Sequence, residues 1–132
     1  MHRLRIVAAA AALSLLSAAP AAAASNDDVD HCQRQHTNGD IDLAIAGCTG
    51  MIRSGDWSGR NLAPIYFQRG NAYFDKAEYD KAVHDFDKAL QLKPNDPAAL
   101  MDRGLAKIKL GDIDGGNADL AASKAAKAAP TN

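Results

Sequence analysis

From residue 63 onward the apolar side chains recur at intervals of three and four. Tyr79, Ala82, Val83, Phe86, Ala89 and Leu90 share one face of a helix, and polar residues fill the turns between them. Pro94 ends that run. A matching segment precedes it, so the pattern predicts antiparallel helices over about 64–76 and 79–92, joined by the short turn Ala77-Glu78. Beyond Pro94 the pattern begins again: Asp96 is placed to cap the next helix, with Pro97 at its first position. The predicted fold class is all-α.

The restart is periodic. Ala77-Glu78-Tyr79-Asp80 corresponds to Gly111-Asp112-Ile113-Asp114, and Arg69-Gly70-Asn71-Ala72 to Arg103-Gly104-Leu105-Ala106, both 34 residues apart. With Tyr66, Gly70, Tyr73, Ala82, Phe86, Ala89 and Pro94 at the signature positions, residues 63–96 resemble a tetratricopeptide repeat over its full length. The resemblance implies stacked helical hairpins and a protein-interaction role. The small residues Gly70, Ala82 and Ala89 let the two helices approach, and Tyr66, Tyr73 and Phe86 fill the space around their contact.

Two further units flank this one. Upstream, Gly39-Asp40-Ile41-Asp42 matches the same turn at a separation of 38, and the surplus falls in the turn-rich stretch 54–61; Ala44, Cys48 and Met51 then stand for Ala82, Phe86 and Ala89. Downstream, the unit over about 97–129 has Lys107 for Tyr73, Gly116 for Ala82 and Ser123 for Ala89. Gly115-Gly116 is expected to delay or fray its second helix, each glycine costing about 1 kcal/mol against alanine. Three units, about 25–62, 63–96 and 97–129, make a short solenoid.

The first residues follow another pattern. Met1-His2-Arg3-Leu4-Arg5 is basic, residues 6–16 are apolar, and a run of small residues ends at Ala24. This is the layout of a secretory signal peptide, residues 1–24, whose apolar stretch is too short to span a bilayer. No cysteine follows it closely for lipid attachment, so no membrane anchor is expected, and the location read is periplasmic or secreted. An alanine-rich helix retained in the protein is the alternative, and it lacks a polar face. Without Arg3 and Arg5 the chain carries 13 basic and 16 acidic side chains, a net −3 that gives nucleic acid no electrostatic purchase.

Export allows Cys32 and Cys48 to pair. Counted from Gly39, Cys32 takes the place of Gly70 and Cys48 that of Phe86, positions that face each other across a hairpin. The arrangement also resembles small secreted bacterial tetratricopeptide proteins with an AIAGCT-like segment. The competing reading is a metal site from His31, Cys32, His36 and Cys48, but the five-residue histidine spacing splits the two rings between helix faces. No metal and no cofactor is expected.

Catalytic signatures are not found: no nucleophile elbow, phosphate loop, dinucleotide fingerprint or His-Glu-x-x-His pair. Residues 112–117 hint at a calcium loop, but Asn117 holds the required glycine position and Ser123 that of the bidentate glutamate. His84 reads as a solvated histidine, and Asp75, Lys76, Glu78, Asp80, Lys81, Asp85, Asp87 and Lys88 as a solvent face. The expectation is a protein that is not an enzyme.

The resemblance implies a partner-binding groove on the first helices of the units. Carried over by position, it comprises Pro64, Phe67, Gln68, Asn71, Phe74 and Asp75, then Ala98, Met101, Asp102, Leu105, Ile108 and Lys109. Its floor is apolar, suited to a protein or peptide segment. One branch of the family grips a terminal carboxylate there; of those groups only Asn71 remains, with Phe67, Leu105 and Ala98 at the others, which argues against such a clamp. Met101, Leu105 and Ile108 also fit a surface buried by a second copy, which would make the chain a homo-oligomeric assembly subunit.

Overall fold

The computed structural model describes residues 22–34 and 40–129. The leader read over residues 1–24 lies outside these except for its last three residues. Six α-helices follow in order: α1 (Asn26–Gln33), α2 (Ile41–Ser54), α3 (Ala63–Asp75), α4 (Tyr79–Leu92), α5 (Pro97–Lys109) and α6 (Ile113–Ala128). A 3₁₀ turn, Gly59–Leu62, leads into α3 within the surplus stretch. No strand occurs among the described residues.

Each helix packs on its neighbours in the chain, α1 with α2, α3 with α4, α5 with α6, and the pairs stack through α2 on α3 and α4 on α5. The odd helices also touch one another, α1 with α3 and α3 with α5, so they line the inner side of the curve. This is an all-α tetratricopeptide-type solenoid.

Local chemistry explains the helix ends. Asp96 accepts hydrogen bonds from the Ala98 and Ala99 amides, with Pro97 as the first helical residue of α5. Ser25 and Asp28 form a reciprocal capping box at α1. The turn between α3 and α4 needs a left-handed residue and Ala77 supplies it at φ +60°; in the next hairpin Gly111 holds that place at φ +92°.

The core has two centres. Phe86, Ala82 and Ala106 form one, with Phe67, Tyr73, Phe74 and Val83 packed around it. Cys32, Cys48, Met51 and Ile65 form the other, covered by Val29, Ile52, Trp57 and Leu62. Ala44, Cys48 and Met51 are all buried, as their match to Ala82, Phe86 and Ala89 predicts.

The expectation of a delayed or frayed α6 is corrected. The helix runs from Ile113 through both glycines. Asp112 accepts a hydrogen bond from the Gly115 amide at 2.9 Å and starts it. Gly116 sits where α6 crosses α5: a methyl group there would lie 2.6 Å from the Gly104 carbonyl oxygen and 2.5 Å from the Ile108 side chain. The close crossing requires the glycine, and its contacts offset the low helix propensity.

Candidate functional site

The sequence-predicted cysteine pair forms a disulfide. Cys32 and Cys48 are joined with their Cα atoms 4.6 Å apart, and both are buried. The position is informative. A Cβ built on Gly70 would lie 2.7 Å from the Phe86 ring, and one on Gly104 3.2 Å from Leu120. The disulfide therefore occupies in α1–α2 the same cross-hairpin contact that Gly70 and Phe86 make in α3–α4. With both sulfurs in the bridge, neither is a thiolate for a metal ion.

Beside that contact lies a set of ion pairs. Arg69 donates from Nε and Nη2 to the two carboxylate oxygens of Asp85, at 2.7 and 2.9 Å, and from Nη1 to Thr49 Oγ1 at 3.0 Å. Arg103 repeats this one unit later, with Nε and Nη2 on Asp119 at 2.8 and 2.7 Å and Nη1 on Asp87 at 2.7 Å. Each guanidinium thus binds the second helix of its own hairpin and reaches back to the second helix of the hairpin before.

Bidentate geometry makes these pairs strong and directional. Burial disfavours the Arg69 charge, yet its hydrogen bonds to Asp85, the charge of that carboxylate and the neighbouring Tyr73 and Tyr66 together outweigh it, and its pKa is raised. Burial alone would push Asp119 up; hydrogen bonds from Arg103 and Lys107 reverse that and hold it below the ordinary carboxylate value. Lys107 stands where Tyr73 stands in the previous unit. Tyr73 flanks Arg69 at 5.9 Å from its ring centroid, while Lys107 pairs with Asp119 at 2.9 Å, so the departure from the repeat signature adds a cation to the same cluster. Ser123, in place of Ala89, donates a 2.6 Å hydrogen bond to the Pro97 carbonyl.

Reading Asp85 as part of a solvent face is therefore corrected: it is 1% exposed. The signal was in the repeat itself, because arginine and aspartate recur sixteen residues apart, 69 to 85 and 103 to 119. His84 does stay exposed, with Nδ1 3.5 Å from Asp85.

The residues that the sequence assigns to a groove divide by depth. Phe67 is half-buried with its ring 5.8 Å from that of Phe86. Phe74 packs edge-on against Tyr79 at 5.1 Å, and Ile108 lies against the Gly116 crossing, so these two support the inner face from beneath. Met101 and Leu105, one turn apart on α5, are 36% and 40% exposed. Gln68, Asn71 and Asp102 are half-buried, and among the described residues their side chains make no hydrogen bond or ion pair within the chain. Burial raises the Asp102 pKa, tempered by Lys127.

A cleft of about 280 Å³ opens where α3, the end of α4 and the start of α5 meet. Pro64, Phe67, Ala89 and Ala98 form its apolar wall, and Arg60, Lys93 and Asp96 its rim. Among the described residues no three His, Cys, Asp or Glu side chains gather as a metal site, and no helix is long and apolar enough to cross a membrane.

Comparison with known proteins agrees with this architecture. The tetratricopeptide repeat profile matches residues 63–96. A 49-residue stretch is 41% identical to outer dynein arm-docking complex subunit 4 of Danio rerio, covering 37% of this chain and 10% of that protein. Another, of 50 residues, is 42% identical to a UPF0162 protein of Xylella fastidiosa, covering 38% of this chain and 18% of the relative. The similarity thus spans under a fifth of either relative's length. Residues 63–96 are thus matched as a tetratricopeptide repeat, and the hairpins before and after stack on them in the same all-α arrangement.

Proposed function

We propose that this chain is an exported protein-interaction module that takes a segment of a partner protein on its inner face. The observation that carries the reading is that α5 supplies both Ala98 to the wall of the Phe67 cleft and, further along the same helix, the exposed Met101 and Leu105. An extended or helical segment lying across α3 and α5 can place one apolar side chain in the cleft and another over Met101. Gln68 and Asn71 have hydrogen-bonding capacity to spare for its backbone, while Phe74 and Ile108 hold the floor rigid. Asp102 offers an acceptor for a partner's donor.

Export draws its support from the basic, apolar and small-residue order of the leader and from the buried disulfide, a bond that persists in oxidising compartments. The name of the Danio rerio relative, a docking-complex subunit, is in keeping with a role in protein assembly. A non-enzymatic role follows from the same reading, because the strongest polar cluster, around Arg69 and Arg103, is internally satisfied and ties hairpins together.

Self-association is the second reading. The observation favouring it is a further exposed apolar pair, Leu110 and Ile113 at 52% and 51%, on the same hairpin as Met101 and Leu105.

The test combines three measurements. Partner recovery from envelope extract is compared between the wild type and a Met101→Asp, Leu105→Lys variant, whose altered side chains are exposed and leave the core intact. Loss of the partner is expected, and identical recovery overturns the groove. Phe67→Ala should weaken binding by about 1–3 kcal/mol if the ring is a central anchor. Particle size over a concentration range separates the alternative: a stable dimer that the same double variant abolishes makes the surface a self-contact.

A further inference from the structure

The small-residue rule for signal cleavage is met more than once in the alanine run. Ala21 and Ala23 suit a cut before Ala24, and Ala22 and Ala24 suit the cut before Ser25 read from the sequence. The peptide pattern does not distinguish the two bonds, but the residues beside them differ in the folded chain.

Ala22 and Ala23 are exposed, whereas Ala24 is partly buried. It packs against the Cys32, Cys48, Met51 and Ile65 cluster together with Trp57 and Leu62. Its main-chain nitrogen donates a 3.0 Å hydrogen bond to Asp56 Oδ2, in the stretch joining the first hairpin to the second. Among the described residues Ala24 is thus the first with both a core contact and a long-range polar bond.

We infer that the exported chain is cut between Ala23 and Ala24, and that the new α-ammonium of Ala24 forms an ion pair with Asp56. This rests on the export reading and refines it by one residue. In the cut, water supplies the hydroxyl that completes the Ala23 carboxyl group as the carbon–nitrogen bond breaks. The Ala24 nitrogen gains water's remaining proton and, at neutral pH, one more from solvent. An amide already aimed at a carboxylate becomes a cation at the same place, and charge-assisted hydrogen bonds exceed neutral ones.

A cut one bond later is worse on three counts. Asp56 loses its donor and the core loses the Ala24 methyl group. The ammonium would also fall on Ser25, the N-cap of α1, next to the positive end of the helix. The Ser25 amide is already bonded to Asp28 at 3.0 Å, and Asp28 returns its own amide to Ser25 Oγ at 3.1 Å. That capping box is complete with a neutral amide. With Ala24 retained, Asp28 keeps its bond from Ser25 and Asp56 receives the terminus.

The experiment expresses the whole 132-residue chain in a secreting bacterial host and determines the intact mass and first residues of the exported protein. A chain starting at Ala24 is expected. A start at Ser25 or another residue overturns this inference and leaves export standing, whereas an uncut chain beginning at Met1 removes both.

Asp56→Asn tests the ion pair. It should lower the melting midpoint by about 2–4 °C in the chain starting at Ala24 and leave it unchanged in a chain from which Ala24 is deleted. Equal shifts in the two backgrounds would show that Asp56 acts elsewhere.

Discussion

The first hairpin and the two after it solve one packing problem with different bonds. Where α3 faces α4, Gly70 admits the Phe86 ring, and the adjacent residues Arg69 and Asp85 form a buried bidentate pair. Between α5 and α6, Gly104 and Leu120 meet beside Arg103 and Asp119. In α1–α2 the corresponding contact is the Cys32–Cys48 bridge, and the places of the arginine and the aspartate fall to His31 and Gly47. A hairpin position thus fixes the distance to be spanned and leaves the kind of bond open. One hairpin depends on redox conditions, and the other two on protonation.

The largest expected effect comes from breaking one side of the buried pair. Arg69→Met leaves Asp85 charged and buried without its partner and should cost about 3–5 kcal/mol in urea unfolding. Adding Asp85→Leu should recover most of that loss; if it does not, the pair is worth more than an apolar contact of the same size.

Opening the disulfide comes next. Cys48→Ala, or reduction, should cost about 3 kcal/mol on the chain-entropy account of a loop this long. Hydrogen exchange should place the lost protection in α1 and α2, with α3–α6 retaining theirs. Uniform loss would show that the staple supports the whole stack.

Acid should then separate the hairpins. Asp119 has a folded pKa below its unfolded value of about 3.9, so its contribution is complete above that value and disappears as pH falls through the lower, folded one. Asp119→Asn should remove this acid-dependent part, about 1–3 kcal/mol for a hydrogen bond to a charged group. Acid unfolding curves of the two proteins check it, and the disulfide-held hairpin should not share the effect.

The smallest effect is a gain. Ala77 takes the left-handed turn that Gly111 provides in the following hairpin, so Ala77→Gly should raise stability by about 1 kcal/mol, measured by thermal unfolding.

The hairpin architecture was legible because spacing carries it. Phe86, Ala82 and Gly70 fall into a helical period and recur at a fixed offset, and the same count aligned Cys32 with Cys48. The arginine clips were in the sequence too, but an aspartate next to His84 and two residues from Asp87 on an amphipathic helix reads as solvated. Only the return of arginine and aspartate at the same offset marks it as buried, because side-chain pairing across helices leaves no trace in local polarity. The α6 glycines misled for a related reason: helix propensity is local, while the Gly104–Gly116 crossing joins two helices. Burial along α5 was illegible, since Met101 and Ile108 belong to one positional set and the packing of α6 separates the exposed residue from the half-buried one.

The backward reach of each arginine also sets a rule for lengthening the protein. Residues 63–96 carry both halves of the joint, Arg69 to engage the preceding hairpin and Asp87 to receive the following one. A tandem copy of that segment inserted after itself would find a carboxylate behind its arginine and offer one to Arg103. A copy attached behind α6 would meet Ala121 at the place Asp87 holds, a methyl group where its guanidinium needs an oxygen. The solenoid is therefore extensible from within, with the second unit as its transferable module.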